Sequence, residues 1–422
     1  MIATSTAPGK LILTGEYAVL DGATAVVIAV DRRVVARRVP EAQPSPFLAA
    51  VAEQLAARFG AESPAATTAR AIAVDSSACY AAEGGMKLGL GSSAAVTVAA
   101  AALALAAERA GSWAELERQL AAMRAAPTPR PDLVVLRGGL ASTRDDLAEA
   151  RQRAIGGLRT VAPIDRLAHA AAAVTAAARA TADARAAAAA LDTPTAPHLP
   201  PLDALAGLLD RPQVHEIAAA AHAAAQGAKG ARGSGADIAA ATFGGTLVFA
   251  NGIATRRAWP AGVVLIPFFT GQSADTATLV TRVREARAAN RFAVERALDA
   301  IAEASAAAAA ALDSSDLPRA GAGVAAAALL GSLALAAAAT DRLASATGVP
   351  LVPACVRLAR GALEPFGGTA KTTGAGGGDV AIAVIPASED VSAATWALIE
   401  AGCRPLPLAL DDRGVDLRPD AA

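Results

Sequence analysis

Aromatic side chains are scarce in this chain: eight Phe, three Trp and two Tyr make up 3% of 422 residues. Proteins that grip single-stranded nucleic acid stack bases on such rings along a basic groove, and a formal net charge of −1 offers no basic surface. Both shortages argue against a nucleic acid as partner and leave a small molecule as the expected ligand. Cysteine is as sparse. Cys79, Cys355 and Cys403 are far apart, with neither metal-ligand spacing nor a paired framework. They are expected as isolated thiols in a reducing cytoplasm. His169, His198, His215 and His222 are unclustered and read as surface or packing residues with no metal role. Met1 to Lys10 lacks the charged start and apolar core of a secretory signal. One uncharged stretch of spanning length, Ala320 to Ala339, is mostly alanine and glycine and sits between Arg319 and Asp341. Such residues partition weakly into lipid, so a buried helix is expected there and no membrane contact.

Lysine is the most informative shortage. Of 38 basic residues 34 are arginine, scattered over helical stretches, whereas Lys10, Lys87, Lys229 and Lys371 each lie in or beside a glycine-rich stretch. A compact ammonium on a flexible stem suits contact with a phosphate as a point charge.

The central stretch is Lys87-Leu88-Gly89-Leu90-Gly91-Ser92-Ser93-Ala94-Ala95-Val96-Thr97-Val98, which runs into an apolar helix ending near Ala110. A glycine-rich turn that opens into a helix gathers unpaired N–H groups, a positive dipole end and two hydroxyls at one point. That is a place for phosphate. Gly89-x-Gly91-x-x-Ala94 also fits a dinucleotide fingerprint, but Ala81 to Lys87 reads as a loop, where that site needs a hydrophobic strand. A Walker A loop is not met either, because its lysine follows the glycines.

At roughly 100 to 200 residues per domain, the length allows two or three domains. Residues 7 to 30 read as a Pro-Gly turn, a short strand, an Asp-Gly turn and a β-rich run from Ala25 to Val30. A helix is expected over Pro46 to Phe59, a strand over Ala69 to Val74, and the phosphate-loop helix from Ser92. From about Gly111 to Arg211 the composition is alanine, arginine and proline, read as long surface helices joined by proline-rich loops. Then come a helix at Val214 to Gln226, the loop Gly227 to Asp237, a strand at Val263 to Phe269 and a helix over Thr281 to Leu312. The chain closes with a helix at Ala325 to Ala346, a third glycine-rich turn at Gly367 to Asp379, a strand at Val380 to Ile385 and a helix from Val391.

Three separated glycine-rich loops behind an amino-terminal Pro-Gly-Lys make a combined pattern. Ala7-Pro8-Gly9-Lys10 with Gly15-Glu16-Tyr17-Ala18-Val19-Leu20 resembles the first motif of the GHMP kinases, small-molecule kinases that include the galactose, homoserine, mevalonate and phosphomevalonate enzymes. Gly89 to Ala95 matches their second motif, and Lys371 to Asp379 the third. The resemblance implies an α+β, two-domain GHMP kinase fold: a ribosomal-protein-S5-like α/β domain over 1–260 and a ferredoxin-like α/β domain over 261–422. The alanine-rich helical insertion over about 111–211 is longer than the resemblance leads one to expect.

Within the superfamily, Tyr17 stands where mevalonate kinases usually carry histidine. Gly233-Ser234-Gly235-Ala236-Asp237-Ile238 resembles the phosphomevalonate kinase branch, and Gln226 stands where mevalonate kinases place a magnesium-binding glutamate. Phe269 to Thr276 resembles a substrate-side motif common to both. The resemblance thus implies ATP-dependent phosphorylation of 5-phosphomevalonate in a cytoplasmic isoprenoid pathway, with ATP and Mg²⁺. Mevalonate kinase, diphosphomevalonate decarboxylase and a non-catalytic ligand sensor on the same fold are the alternatives. A monomer or homodimer is expected.

In that scheme Lys87, Gly89, Leu90, Gly91, Ser92, Ser93 and Ala94 hold the ATP phosphates, the Ser93 hydroxyl reaches Mg²⁺, and Gln226 is a second metal candidate. Gly374, Ala375, Gly376 and Gly377 form the third motif's turn. Asp237 orients and deprotonates the acceptor, and Lys10 lowers the pKa of that acceptor or neutralises the transferred group and holds Asp237 ionised through an ion pair. Tyr17, Ser234 and Gly235 are substrate-side residues. Lys229 and Arg232, or Lys87, are candidates for the substrate's phosphate. Glu16 either touches substrate or pairs with a lysine to brace the loop, and Asp379 is expected as a structural cap for the next strand.

Overall fold

A computed structural model describes residues 2–81, 85–125, 207–228, 233–313 and 319–420. The helices expected over most of 111–211, and Lys229 and Arg232, lie outside the described residues.

The first sheet holds β1 (Ile2–Thr14), β2 (Ala25–Arg38), β3 (Ile72–Asp75), β4 (Thr246–Ala250), β5 (Ile253–Arg257) and, from the far end of the chain, β10 (Asp416–Asp420). Its order is β10-β1-β2-β4-β5, with β3 paired to β2, and every pairing is antiparallel. The second sheet holds β6 (Val263–Phe269), β7 (Thr369–Thr372), β8 (Val380–Pro386) and β9 (Arg404–Pro405) in the order β7-β8-β6-β9, also antiparallel. The chain passes from the first sheet to the second between β5 and β6 and returns to the first at β10. Leu11, Leu13, Val26 and Ile28 of the first sheet share one core with Val263, Val380, Ile382 and Val384 of the second.

Helix α1 (Pro46–Phe59) starts where Ser45 accepts from the Leu48 N–H and Pro46 takes the first turn. The same device, Ser63 with Pro64, starts α2 (Pro64–Arg70). Ala69 and Arg70 therefore end a helix, and the strand expected over 69–74 is confined to β3. The Pro8-Gly9 turn expected from sequence is a bulge inside β1: the register against β2 slips between those two residues and the strand continues.

Helix α3 (Ser92–Ala110) is the central helix. Its alanines from Ala94 to Ala107 are buried, and their small side chains let it pack on β1 and β2 while α1, α2, α5 (Arg211–Gly227) and α6 (Ala236–Phe243) cover it. Helix α4 (Trp113–Ala125) follows it and buries Leu116 and Leu120.

The single helix expected over 281–312 is two, α7 (Thr276–Ala289) and α8 (Arg291–Asp313), separated at Asn290. Asp275 caps α7 by accepting from the Ala277 and Thr278 N–H groups, which moves its start five residues ahead of the expectation. Helix α9 (Arg319–Thr347) includes the apolar stretch over 320–339 and packs on α8 and β7. Both α3 and the 323–347 part of α9 are long and apolar enough to cross a membrane by length and composition; 78% and 50% of those windows are buried inside the protein. Helices α10 (Ala354–Leu363) and α11 (Val391–Glu400) complete the second half.

Candidate active site

A cavity of about 370 Å³ gathers Lys10 and Ile12 from β1, Glu16, Tyr17, Val19 and Leu20 from the turn after it, Gly89, Asp237 from the start of α6, and Gly374 to Gly376. The first, second and third motifs and the Asp237 loop, spread over the chain from Lys10 to Gly376, meet here.

The phosphate loop is built by two glycines in the left-handed region. Gly89 (φ +67) has the Asp379 carboxylate where a Cβ would stand, and Gly91 (φ +69) leaves room for Lys10, whose Cε would be 2.8 Å from a Cβ there. Gly91 precedes α3 with no side-chain cap, so the Ser92 and Ser93 N–H groups keep the unpaired state of a helix start. Leu90 is a core residue whose carbonyl accepts from the Lys10 N–H at 2.8 Å, and Ala94 is fully buried. Gly89 is the loop residue lining the cavity among those described, and Lys87 is exposed beside it.

Lys10 runs along Gly91 with its remaining surface facing the cavity. Burial lowers its pKa, and the charges of Asp237 and then Asp379 act against that shift, with Lys87 adding to it. Lys10 and Asp237 share the cavity wall without meeting within the 4.0 Å of an ion pair, so the direct pair expected from sequence is not formed. Asp237 lies in the first turn of α6, where its Oδ1 accepts from the Ile238 N–H at 3.0 Å. Ser234 lines the same wall and accepts from the Ala236 N–H at 3.3 Å; Gly235, left-handed, starts the helix away from it.

Asp379 is more than the expected cap. Its carboxylate accepts from Ser273 Oγ and the Ala274 N–H, both at 3.2 Å, and it lines the cavity next to Gly89. Burial raises its pKa, while those two bonds, Lys87 and Lys10 pull it back. The third motif marks the residue but not its place beside Gly89, which depends on a positive φ of 57 and on a loop more than a hundred residues away.

Glu16 pairs with a lysine, the bracing alternative of the two. Its partner is Lys371, which also donates to the Thr372 carbonyl at 2.7 Å; neither charged side chain is more than 1% exposed. Lys371 is therefore spent inside the protein and is not a phosphate contact. Glu16 Oε2 has no hydrogen-bond partner among the described residues, and Glu16 also lines the cavity. Tyr17 adopts φ +59 and donates its hydroxyl to the Ala375 carbonyl at 2.6 Å, tying the first motif to the third. Burial and the Glu16 charge raise its pKa. Gly377 packs on Leu279, outside the cavity lining.

His222 takes the packing alternative of the two expected for the histidines. It is 3% exposed, stacks on Phe47 at 5.1 Å, and places Nε2 3.3 Å from Ser93 Oγ. One turn along α5, Gln226 reaches the cavity, its amide oxygen seated against Gly233. A second wall comes from α7, which contributes Thr276, Ala277, Val280, Thr281 and Arg284. Arg284 is one arginine among 34, and nothing in the sequence separates it from the others.

No family model and no curated protein matches this chain. Solved structures do. A Lin0012 protein from Listeria innocua is 17% identical with a TM-score of 0.61 over 100% of both chains. Streptococcus pneumoniae phosphomevalonate kinase, in complex with phosphomevalonate and AMPPNP, is 14% identical with a TM-score of 0.56 over 97% of this chain and 100% of that one. Lactococcus lactis galactokinase complexed with galactose is 11% identical with a TM-score of 0.52 over 99% and 95%. The fold of this chain is the α+β fold of the GHMP kinases.

Proposed function

We propose that the protein is an ATP-dependent kinase that phosphorylates 5-phosphomevalonate to 5-diphosphomevalonate. The observation that carries this reading is the convergence of Lys10, Asp237, Gly89 and the Gly374 to Gly376 turn on one cavity, within a fold shared with a solved phosphomevalonate kinase.

Phosphoryl transfer asks mainly for positioning and charge neutralisation. The Ser92 and Ser93 N–H groups at the head of α3 are the donors for the nucleotide's phosphates. An acceptor phosphate, with a second pKa of about 6, is already largely anionic near neutral pH. One of its oxygens attacks the γ-phosphorus of ATP, a new P–O bond forms, and the bond to the β-phosphate oxygen breaks to release ADP. Lys10 neutralises charge on the group in transit, and Asp237 takes the proton from an acceptor that arrives protonated. Tyr17 keeps its proton, donates it in a hydrogen bond to the Ala375 carbonyl and serves as a wall.

Magnesium is held by oxygen ligands, commonly one or two from protein with phosphates and water completing the set. Ser93 Oγ and Gln226 Oε1 are donors of that kind and would hold it. When bound, it would neutralise phosphate charge. Among the described residues no group of three His, Cys, Asp or Glu side chains offers a competing site.

A coupled ADP-release assay over an acceptor panel tests the reading. Turnover of 5-phosphomevalonate with mevalonate idle is the expected result; turnover of mevalonate alone would make the protein a mevalonate kinase. Release of CO₂ from diphosphomevalonate would make it a decarboxylase.

A further inference from the structure

The α7 wall of the cavity has a direction. Ala277, Val280, Thr281 and Arg284 line the cavity at helical spacings of three, one and three residues, so one face of α7 looks into it. The start of that face lies at the nucleotide end, because Ser273 and Ala274, just ahead of α7, hold Asp379 against Gly89. Seven residues on, about 10 Å along the axis, the face reaches Arg284. That end is fixed to the turn after β1: Arg287, one turn below, donates to Asp21 at 2.8 Å, and Leu20 beside Asp21 lines the cavity. A molecule lying along α7 from the phosphate loop would therefore meet an apolar stretch, a threonine hydroxyl and finally a guanidinium.

Arg284 is free to bind. Arg287 is occupied by Asp21 and Glu295, whereas Arg284 is exposed and has no hydrogen bond or ion pair among the described residues. A guanidinium with no anion of its own at the end of a largely apolar trough matches an aliphatic ligand with a charged terminus.

We infer that Arg284 binds the carboxylate of the acceptor, the end of the molecule remote from the reacting phosphate. The inference rests on the kinase reading above and adds to it the residue that selects an aliphatic carboxylate over a neutral sugar. Lys10 and Arg284 divide the acceptor's two charges between them: Lys10 meets the group that reacts, and Arg284 the group that anchors.

The test is steady-state kinetics on the full chain with 5-phosphomevalonate and with its neutral carboxamide analogue, comparing wild type, Arg284→Ala and Arg284→Lys. Arg284 is exposed and unpaired, so its replacement leaves the fold intact. A charge-assisted hydrogen bond at this site corresponds to a rise of about 10- to 100-fold in KM for 5-phosphomevalonate in Arg284→Ala. Unchanged kcat, unchanged KM for ATP, partial recovery in Arg284→Lys and no penalty with the carboxamide complete the expected pattern. A KM for 5-phosphomevalonate within twofold of wild type, or an equal penalty on the carboxamide, overturns the assignment of Arg284 and leaves the kinase reading standing. Absence of 5-phosphomevalonate turnover by the wild-type protein overturns both.

Discussion

Lys371 donates to Glu16 across 355 residues of sequence, and neither side chain is exposed. The contact fastens the turn that follows β1 to strand β7, and so holds the first motif and the third on opposite ends of one ion pair. Burial raises the Glu16 pKa and Lys371 opposes it. The pair is a structural joint at the edge of the site. Its second carboxylate oxygen is buried and has no hydrogen-bond partner among the described residues.

Breaking that joint on one side leaves a buried charge alone, at a cost of about 3–5 kcal/mol. Lys371→Met should therefore lower stability by that amount in urea denaturation, and Glu16→Leu with Lys371→Met should recover most of it. A single-variant loss under about 1 kcal/mol, the range of exposed pairs, would mean that water reaches the pair.

Asp237→Asn keeps the side chain's size and its bond from the Ile238 N–H while removing its charge. Turnover should fall by about 10²–10⁴-fold, the usual worth of a positioned acid or base, with ATP-analogue affinity little changed by calorimetry. Near-normal turnover would remove Asp237 from catalysis.

Lys10 carries a signed pH effect. Its folded pKa lies below the ordinary 10.5 because burial outweighs Asp237 and Asp379. Between the folded value and 10.5 the unfolded chain binds more protons, so this group's contribution to stability rises with pH in that window. Lys10→Met should abolish turnover, flatten the alkaline rise in the urea midpoint, and leave the protein at neutral pH more stable than wild type, because the ammonium no longer has to be kept charged out of water. A Lys10→Met protein less stable than wild type would show that the carboxylates more than offset the burial.

Gly89→Ala places a methyl group into the Asp379 carboxylate at a positive φ. Strain of about 1–3 kcal/mol and a displaced phosphate loop should appear together, as a lower unfolding midpoint and weakened ATP-analogue binding. Full retention of both would mean the loop has slack.

The sequence by itself determined the local elements and the identity of the loops. Serine with proline starts α1, an alanine run after Gly-Ser-Ser makes α3, and a β-branched run makes β6, because caps, propensity and side-chain period act over a few neighbours. The order of the glycine-rich motifs pointed to the fold for the same reason: each glycine demand is written into its own turn.

What the tertiary structure decided is the use of residues whose neighbours are distant. Lys371, Asp379, His222 and Arg284 sit in stretches that read as a phosphate contact, a cap, a surface or packing residue and one arginine of many. Only the fold sets Lys371 on Glu16, turns Asp379 toward Gly89 and brings His222 to Ser93. The same packing leaves Arg284 without an anion among the described residues, on the face of α7 that lines the cavity. Partner choice across a fold depends on which surfaces are buried together, and no short-range pattern in the chain encodes it.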